Sequence, residues 1–191
     1  MLSSEFKPSN FRIYRRVTKN RIIVVEDVLR FNKVRINLVE YEPGKGIEKQ
    51  VGHYIDREIA ALLCHDLLNR SNTDALVWWN GYEEYKGTKT REGYEARTFK
   101  IEIAETRNPI RITIWNGPGE PVGSDGAIKP ARGRTSEGQS VTVLLPWTAA
   151  RAMALALLMH LQAWTTMTYY QRVQNGTYQP DEEQLELDPE A

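Results

Sequence analysis

Apolar and polar residues alternate in several short stretches of the chain, and this two-residue period predicts β-strands. Residues 33–41 show it most clearly: Val34, Ile36 and Leu38 point to one side, and Arg35 and Asn37 to the other. Strands are expected in the first half at residues 11–17, 21–28, 33–41 and 47–55. A helical period follows from about Asp56 to Arg70, with an apolar stripe at Ile59, Leu63 and Leu67.

The second half repeats this plan. Strands are expected at residues 75–85, 94–105, 109–115 and 139–146, and a helix at residues 148–172. Residues 116–139 are rich in Gly and Pro and are predicted to form a long loop. The pattern therefore predicts an α+β fold of two four-stranded antiparallel sheets, each followed by a helix, with the helices packed together.

The second predicted helix is apolar on nearly every side. Within residues 149–164, only Arg151, His160 and Gln162 interrupt the apolar residues. A helix of this kind must be buried on most faces, and one sheet covers only one of them. We therefore expect a homo-oligomer, either a tetramer or a dimer.

Composition argues against several classes of protein. The chain has one Cys and three widely spaced His, which excludes a disulfide framework and any familiar metal-ligand spacing. The Gly-rich stretch 117–123 leads into more loop rather than a helix, so it lacks the geometry of a phosphate site. No apolar run is long enough to span a membrane, and the N-terminus lacks the apolar centre of a secretory signal. We expect no enzymatic activity, cofactor, metal or membrane association, and a cytoplasmic location.

Charge is segregated along the chain. The net charge is zero, but six of the 25 acidic residues lie in residues 173–191, which contain no Lys or Arg. The rest of the chain therefore carries a net charge of +6, with nine basic residues against two acidic ones in residues 7–35. A basic body with an acidic tail is typical of proteins that contact a polyanion. Residues 173–191 are expected to be a disordered acidic tail, and residues 1–172 a single domain of two repeats, about 11–70 and 75–172.

Cationic and aromatic side chains recur on the predicted outer faces of the strands. Non-specific binding of a single strand needs cations for phosphates and flat rings for bases. In 11–17, Arg12, Tyr14 and Arg16 are expected to share one face, and in 109–115 Arg111 and Trp115 do the same. The full candidate set for nucleic-acid binding is Arg12, Tyr14, Arg16, Arg35, Asn37, Trp78, Trp79, Tyr82, Lys86, Arg97, Lys100, Arg111 and Trp115.

This set has a plain structural alternative. One of Trp78 and Trp79 must point inward if their segment is a strand, and tyrosines at sheet edges often serve packing alone. The rings and cations recur together, however, and the combination favours binding. In that interpretation Arg12, Arg16, Arg35, Lys100 and Arg111 contact phosphates, and Tyr14, Trp115 and one of the two adjacent tryptophans stack on bases.

The order of elements resembles the Whirly fold and the related single-repeat coactivators of the positive-cofactor-four type. The similarity covers residues 11–172 and is clearest in VGHYIDREIAALLCHDLL, FKIEIAETRNPIRITIWN and SVTVLLPWTAARAMALALLMHLQAW. The resemblance implies single-stranded DNA binding on the sheets, helices packed inside and a tetramer. The Lys-Gly-Lys-Ala-Ala-Leu strand motif of Whirly proteins is absent here. The family's higher assembly and its plastid, mitochondrial and defence roles are therefore not carried over, and we expect a bacterial or phage protein.

The sequence as a whole predicts a single-stranded DNA-binding protein of low sequence specificity, acting in replication, repair or transcription. Two alternatives stay open. An RNA-binding regulator on the same fold would use the same stacking and phosphate contacts. A protein-interaction scaffold would use the aromatic residues as interface anchors, and the acidic tail is a possible contact for protein partners.

Overall fold

The structure is a computed structural model that describes residues 11–69, 81–91, 93–104, 109–122 and 127–176. Some of the sequence predictions fall outside these residues. They include Trp78, Trp79, the first part of the strand expected at 75–85, and most of the acidic tail.

The first sheet has four antiparallel strands in the order of the chain, β1-β2-β3-β4. The strands are β1 Arg12–Val17, β2 Arg21–Val28, β3 Lys33–Glu42 and β4 Gly46–Asp56, and helix α1 follows at Arg57–Asn69. A short 3-10 helix, Leu29–Phe31, connects β2 to β3. The four strands and the helix overlap those expected from the hydrophobic pattern, whereas the 3-10 helix was not predicted.

The second sheet has five strands rather than the four expected. They are β5 Tyr82–Lys89, β6 Tyr94–Ile103, β7 Ile110–Val122, β8 Ala127–Pro130 and β9 Gln139–Leu145, and helix α2 follows at Trp147–Gln174. Strand β7 pairs with β6 on one side, and with β9 and β8 in turn on the other. The two-sheet, two-helix α+β prediction is confirmed.

The prediction of a long loop over residues 116–139 is wrong. Strand β7 continues to Val122 and forms a hairpin with β8, and a 3-10 helix follows at Thr135–Glu137. Gly and Pro in this stretch suggested a break, but a short hairpin at a sheet edge tolerates both. A Cβ atom at Gly87 would overlap the side chain of Ile128, so β8 folds back over the outside of β5.

One continuous apolar core joins the two sheets and the two helices. The inward residues of the strands, such as Ile23, Leu38 and Ile112, are buried together with Cys64 of α1 and Met153 of α2. Burial raises the pKa of the Cys64 thiol to about 12, which makes it an inert packing residue. We use "outer face" for the side of each sheet turned away from this core.

Helix α2 buries only part of its apolar surface within the chain. Ala150, Met153 and Leu157 lie in the core, whereas Leu155 and Met159 are exposed. Among the described residues, no helix is both long and apolar enough to cross a membrane.

Candidate nucleic-acid interface

The outer face of the first sheet carries a row of polar residues that crosses all four strands. The strand register places Arg12, Glu26, Arg35 and Tyr54 opposite one another in turn. The next outward row contains Arg15, Val24, Asn37 and Gly52. Arg35 and Asn37 therefore share the outer face of β3, as the alternation predicted.

Contacts within these rows bring a cation, an amide and a ring together. The Arg35 guanidinium carbon lies 5.7 Å from the centre of the Tyr54 ring, a cation–π distance. Glu26 accepts a hydrogen bond of 2.8 Å from Asn37 Nδ2, and its carboxylate lies 3.4 Å from Arg35 Nη1. A Cβ atom at Gly52 would lie 2.5 Å from Asn37 Oδ1, so the glycine makes room for this cluster.

Two polar atoms of this cluster are buried without a hydrogen-bond partner in the described part of the chain. They are Arg35 Nε and Asn37 Oδ1. A buried amide oxygen without a partner is costly unless another group satisfies it.

The predicted common face of Arg12, Tyr14 and Arg16 is wrong. A register shift between Arg12 and Tyr14 places Arg12 opposite Glu26 on the outer face, but Tyr14 opposite Val25 on the core side. Arg16 likewise opposes Ile23, a core residue. The irregularity inserts one extra residue, which turns the following side chains to the other face. Arg15 occupies the outward position that was assigned to its neighbours.

The outer face of the second sheet carries a comparable arrangement. Tyr85, Thr98 and Trp115 lie opposite one another on β5, β6 and β7, and Lys100 and Thr113 lie in the next row. Lys129 of β8 approaches from the hairpin, with its ammonium 5.9 Å from the centre of the Tyr85 ring. Tyr85 is 42% exposed. The prediction that Arg111 and Trp115 share the outer face is confirmed, and Lys100 lies on the same side.

A carboxylate lies between the two cations at the centre of this face. Glu102 contacts Lys100 at 2.7 Å and Arg111 at 3.2 Å. Partial burial raises the pKa of Glu102, but the contacts with Lys100 and Arg111 outweigh it and hold the pKa below its ordinary value. The carboxylate is thus ionised near neutral pH, and it offsets part of the positive charge that a phosphate would meet.

Trp115 is less open than the sequence suggested. Its indole nitrogen donates a hydrogen bond of 3.1 Å to the backbone carbonyl of Thr135. A Cβ atom at Gly117 would lie 2.5 Å from the indole, and one at Gly138 would overlap it. The segment after β8 therefore covers one face of this ring, and Trp115 holds that segment against the sheet.

Three predicted residues lie on the core side of the second sheet. Tyr82 opposes Ile101, and Lys86 opposes Arg97, on the side that carries Phe99. Lys86 donates a hydrogen bond of 2.8 Å to the carbonyl of Tyr54. Tyr82, Lys86 and Arg97 were predicted as binding residues because they lie close in sequence to other aromatic and basic residues, and the strand alternation places them on the core side instead.

Tyr82 and Lys86 belong instead to a polar link between the sheets. The Tyr82 hydroxyl donates to Glu84, and burial is the main reason that the pKa of Tyr82 rises to about 12. Glu84 also lies 2.7 Å from Lys86 and 3.6 Å from Nε2 of the buried His53. This link connects the two sheets and partners Lys86 internally.

Sequence reasoning missed several surface features. Tyr54 alternates with His53 and Ile55, so its outward position could have been read from the pattern. The position of Lys129 beside Tyr85 could not be predicted from the sequence, because it depends on the β7–β8 hairpin folding back over the sheet. A cleft of about 660 Å³, lined by Tyr94, Arg97 and Asn116 among others, also opens at the end of β6 and β7.

Comparisons with known proteins support the fold alone. No protein-family model matches the chain, and no curated protein matches it significantly. Among solved structures, the chain is similar to the crystal structure of WHY1 from Arabidopsis thaliana, a Whirly protein, with a TM-score of 0.51 and 6% identity. The match covers 91% of this chain and 98% of that one, so the chain shares the Whirly architecture over nearly its whole length.

Proposed function

We propose that this protein binds single-stranded nucleic acid, DNA in the first instance, on the outer faces of its two sheets. One observation carries the proposal: each outer face places a cation against an outward-facing aromatic ring, Arg35 beside Tyr54 and Lys129 beside Tyr85. Rings supply stacking surfaces for bases, and cations attract the phosphate backbone. The similarity to the Whirly fold supports the proposal of nucleic-acid binding by analogy.

The edge strand β1 adds unneutralised positive charge. Among the described residues, Arg12, Arg15, Arg16 and Lys19 have no carboxylate within ion-pair distance. Arg35, Lys100 and Arg111 already have such a partner. A phosphate therefore meets the β1 cations with no internal anion to displace, so we expect Arg12 and Arg15, which face outward, to contribute more to affinity than Lys100.

We further propose that the protein is a homo-oligomer without catalytic activity. Exposed apolar side chains follow one side of α2, among them Leu155, Met159 and Met167. Extended apolar patches on a surface helix are typical of subunit contacts. Sedimentation of the intact chain would measure the subunit number, and a monomer at micromolar concentration would contradict the oligomer.

Fluorescence anisotropy with a labelled oligothymidine of about 20 nucleotides tests the binding proposal. We expect binding of the single strand in preference to its duplex, and an affinity that falls steeply with salt. Tyr85→Ala and Tyr54→Ala should each weaken binding about 5- to 150-fold, the equivalent of ~1–3 kcal/mol for one stacked base.

Tyr170→Ala is the matched control, because Tyr170 is an exposed tyrosine of α2 that lies on neither sheet. Unchanged affinity in both sheet variants, or equal losses in all three, would contradict the proposal. Competition between DNA and RNA oligonucleotides of matched sequence decides which polymer is preferred.

A further inference from the structure

A second cationic and aromatic surface lies outside both sheet faces. A cleft of about 540 Å³ opens where the connection between β2 and β3 meets the C-terminal half of α2. Its walls are formed by Arg30, Phe31 and Arg57 on one side, and by Trp164, Tyr169 and Arg172 on the other. None of these residues belongs to the sheet faces described above.

Rings and guanidinium groups are paired in this cleft. The Arg30 guanidinium carbon lies 4.7 Å from the centre of the Phe31 ring, and that of Arg57 lies 5.3 Å from the Trp164 ring. Phe31 is 62% exposed. Glu58 contacts Arg57 at 2.9 Å. The wall thus carries three guanidinium groups beside flat rings that offer a base a place to stack.

The cleft lies at the end of the first sheet at which β2 and β3 are connected. Beyond the row that contains Arg35 and Tyr54, the next outward row ends in Lys33 and Asp56, which are in contact. The residue before Lys33 is Asn32, whose carbonyl accepts a hydrogen bond of 3.0 Å from the backbone N–H of Arg57. Lys33 on the outer face and Arg57 in the cleft therefore both lie at this end of the sheet.

We propose that a single strand bound on the first sheet continues over the β2–β3 connection and places bases in this cleft. The inference rests on the proposed function and extends its binding path by a few nucleotides. An acidic peptide would also match the charge of the cleft. The ring–guanidinium pairs and the position of the cleft at the end of the first sheet favour a nucleic-acid strand, because they repeat the pairing of flat and cationic groups found on the sheet.

Oligothymidines of increasing length, from about 6 to 30 nucleotides, provide the test. For the wild type, we expect affinity to rise with length until the strand covers both the sheet and the cleft. The double variant Arg30→Ala/Phe31→Ala should bind the shortest oligomers as the wild type does, and the longest about 10-fold more weakly. Both residues are exposed, so the variant should fold, and urea unfolding checks this.

The matched control is Lys45→Ala/Ile47→Ala, which removes a cation and an exposed apolar side chain at the opposite end of the first sheet. It should leave the length dependence unchanged. If the wild type binds oligonucleotides and the cleft variant keeps the same length dependence, this inference alone is wrong. Equal weakening of the cleft variant at every oligonucleotide length would also overturn it. So would a cleft variant that loses binding to a poly-glutamate peptide but keeps the wild-type length dependence for oligothymidine, because the cleft would then bind an acidic peptide. If the wild type binds no oligonucleotide, the proposed function fails as well.

Discussion

The hydroxyl group of Tyr14 donates a hydrogen bond to the backbone carbonyl of Ala149, 3.3 Å away across the core side of β1. This contact ties the edge strand of the first sheet to the first turn of α2. Ile13 also packs against the core, so the strand is held from the inside while Arg12 and Arg15 face outward.

Tyr14→Phe should therefore destabilise the protein without weakening nucleic-acid binding. Loss of one partly buried hydrogen bond corresponds to about 0.5–1.5 kcal/mol in the free energy of unfolding, measured by urea denaturation. Tyr170→Phe, at an exposed position, should change it by less than about 0.5 kcal/mol. A loss of oligonucleotide affinity in Tyr14→Phe would show that the tyrosine contacts the ligand after all.

Glu102→Gln should strengthen binding, because it releases Lys100 and Arg111 from their shared carboxylate. We expect about 3- to 10-fold higher affinity at ~50 mM salt, and a salt dependence that is steeper by about one phosphate contact. Anisotropy titrations at several salt concentrations measure both quantities. Glu42→Gln is the control, because it releases Lys45 at a turn away from the proposed site. Equal gains in the two variants would mean that only the net charge matters.

Gly87→Ala should displace the β7–β8 hairpin. The added methyl group overlaps Ile128, which lies directly over the glycine, and we expect a loss of about 1–3 kcal/mol in the free energy of unfolding. In an Ile128→Gly background, the same change should cost much less, because the Ile128 Cβ atom that lies 2.1 Å from the added methyl group has been removed together with the rest of the side chain. Urea denaturation of the four proteins gives the coupling energy, and a coupling near zero would contradict this packing.

Glu84→Gln should make stability less dependent on pH in the acidic range. Burial raises the pKa of Glu84, but contacts with His53 and Lys86 outweigh it and hold the pKa below the unfolded value of ~4.3. The carboxylate therefore contributes stability above that value, and the contribution is lost as pH falls through the lower folded pKa.

At neutral pH the free energy of unfolding of the wild type should exceed that of Glu84→Gln by about 1–3 kcal/mol, because Lys86 and His53 lose their carboxylate partner. This difference should shrink as pH falls below ~4.3. Unfolding free energies measured across that range give the result. A difference that does not vary with pH would contradict the ionic role of Glu84.

Local hydrophobic patterns were sufficient to predict which side chains face outward in strands that bury a single face. Residues 33–38 and 110–115 alternate, so Arg35, Asn37 and Arg111 were placed on the correct side. The pattern failed at β1, where one extra residue reverses the phase between Arg12 and Tyr14. Nothing in the identity of Ile13 reveals that irregularity, because it arises from pairing with β2.

The charge of each outer face and the exposure of its rings depend on the pairing between strands, which the sequence alone does not show. Glu26 and Glu102 each lie beside cations of a neighbouring strand, so the charge of each face depends on register rather than on composition. Likewise, the partial covering of Trp115 depends on Gly138 and Thr135, which approach only because β8 folds back. Long-range contacts of this kind carry no signal in a single sequence.

The irregularity in β1 divides one short strand between two surfaces, with Arg12 before it and Tyr14 after it. Removing Ile13 would restore regular pairing, with Arg12 still opposite Glu26 and Tyr14 still opposite Val25, so both side chains would keep their sides. What would be lost is the packing of Ile13 against the core. The N-terminal strand should therefore tolerate shortening at this one position at the expense of core packing, because the division between its two surfaces is set by its pairing with β2.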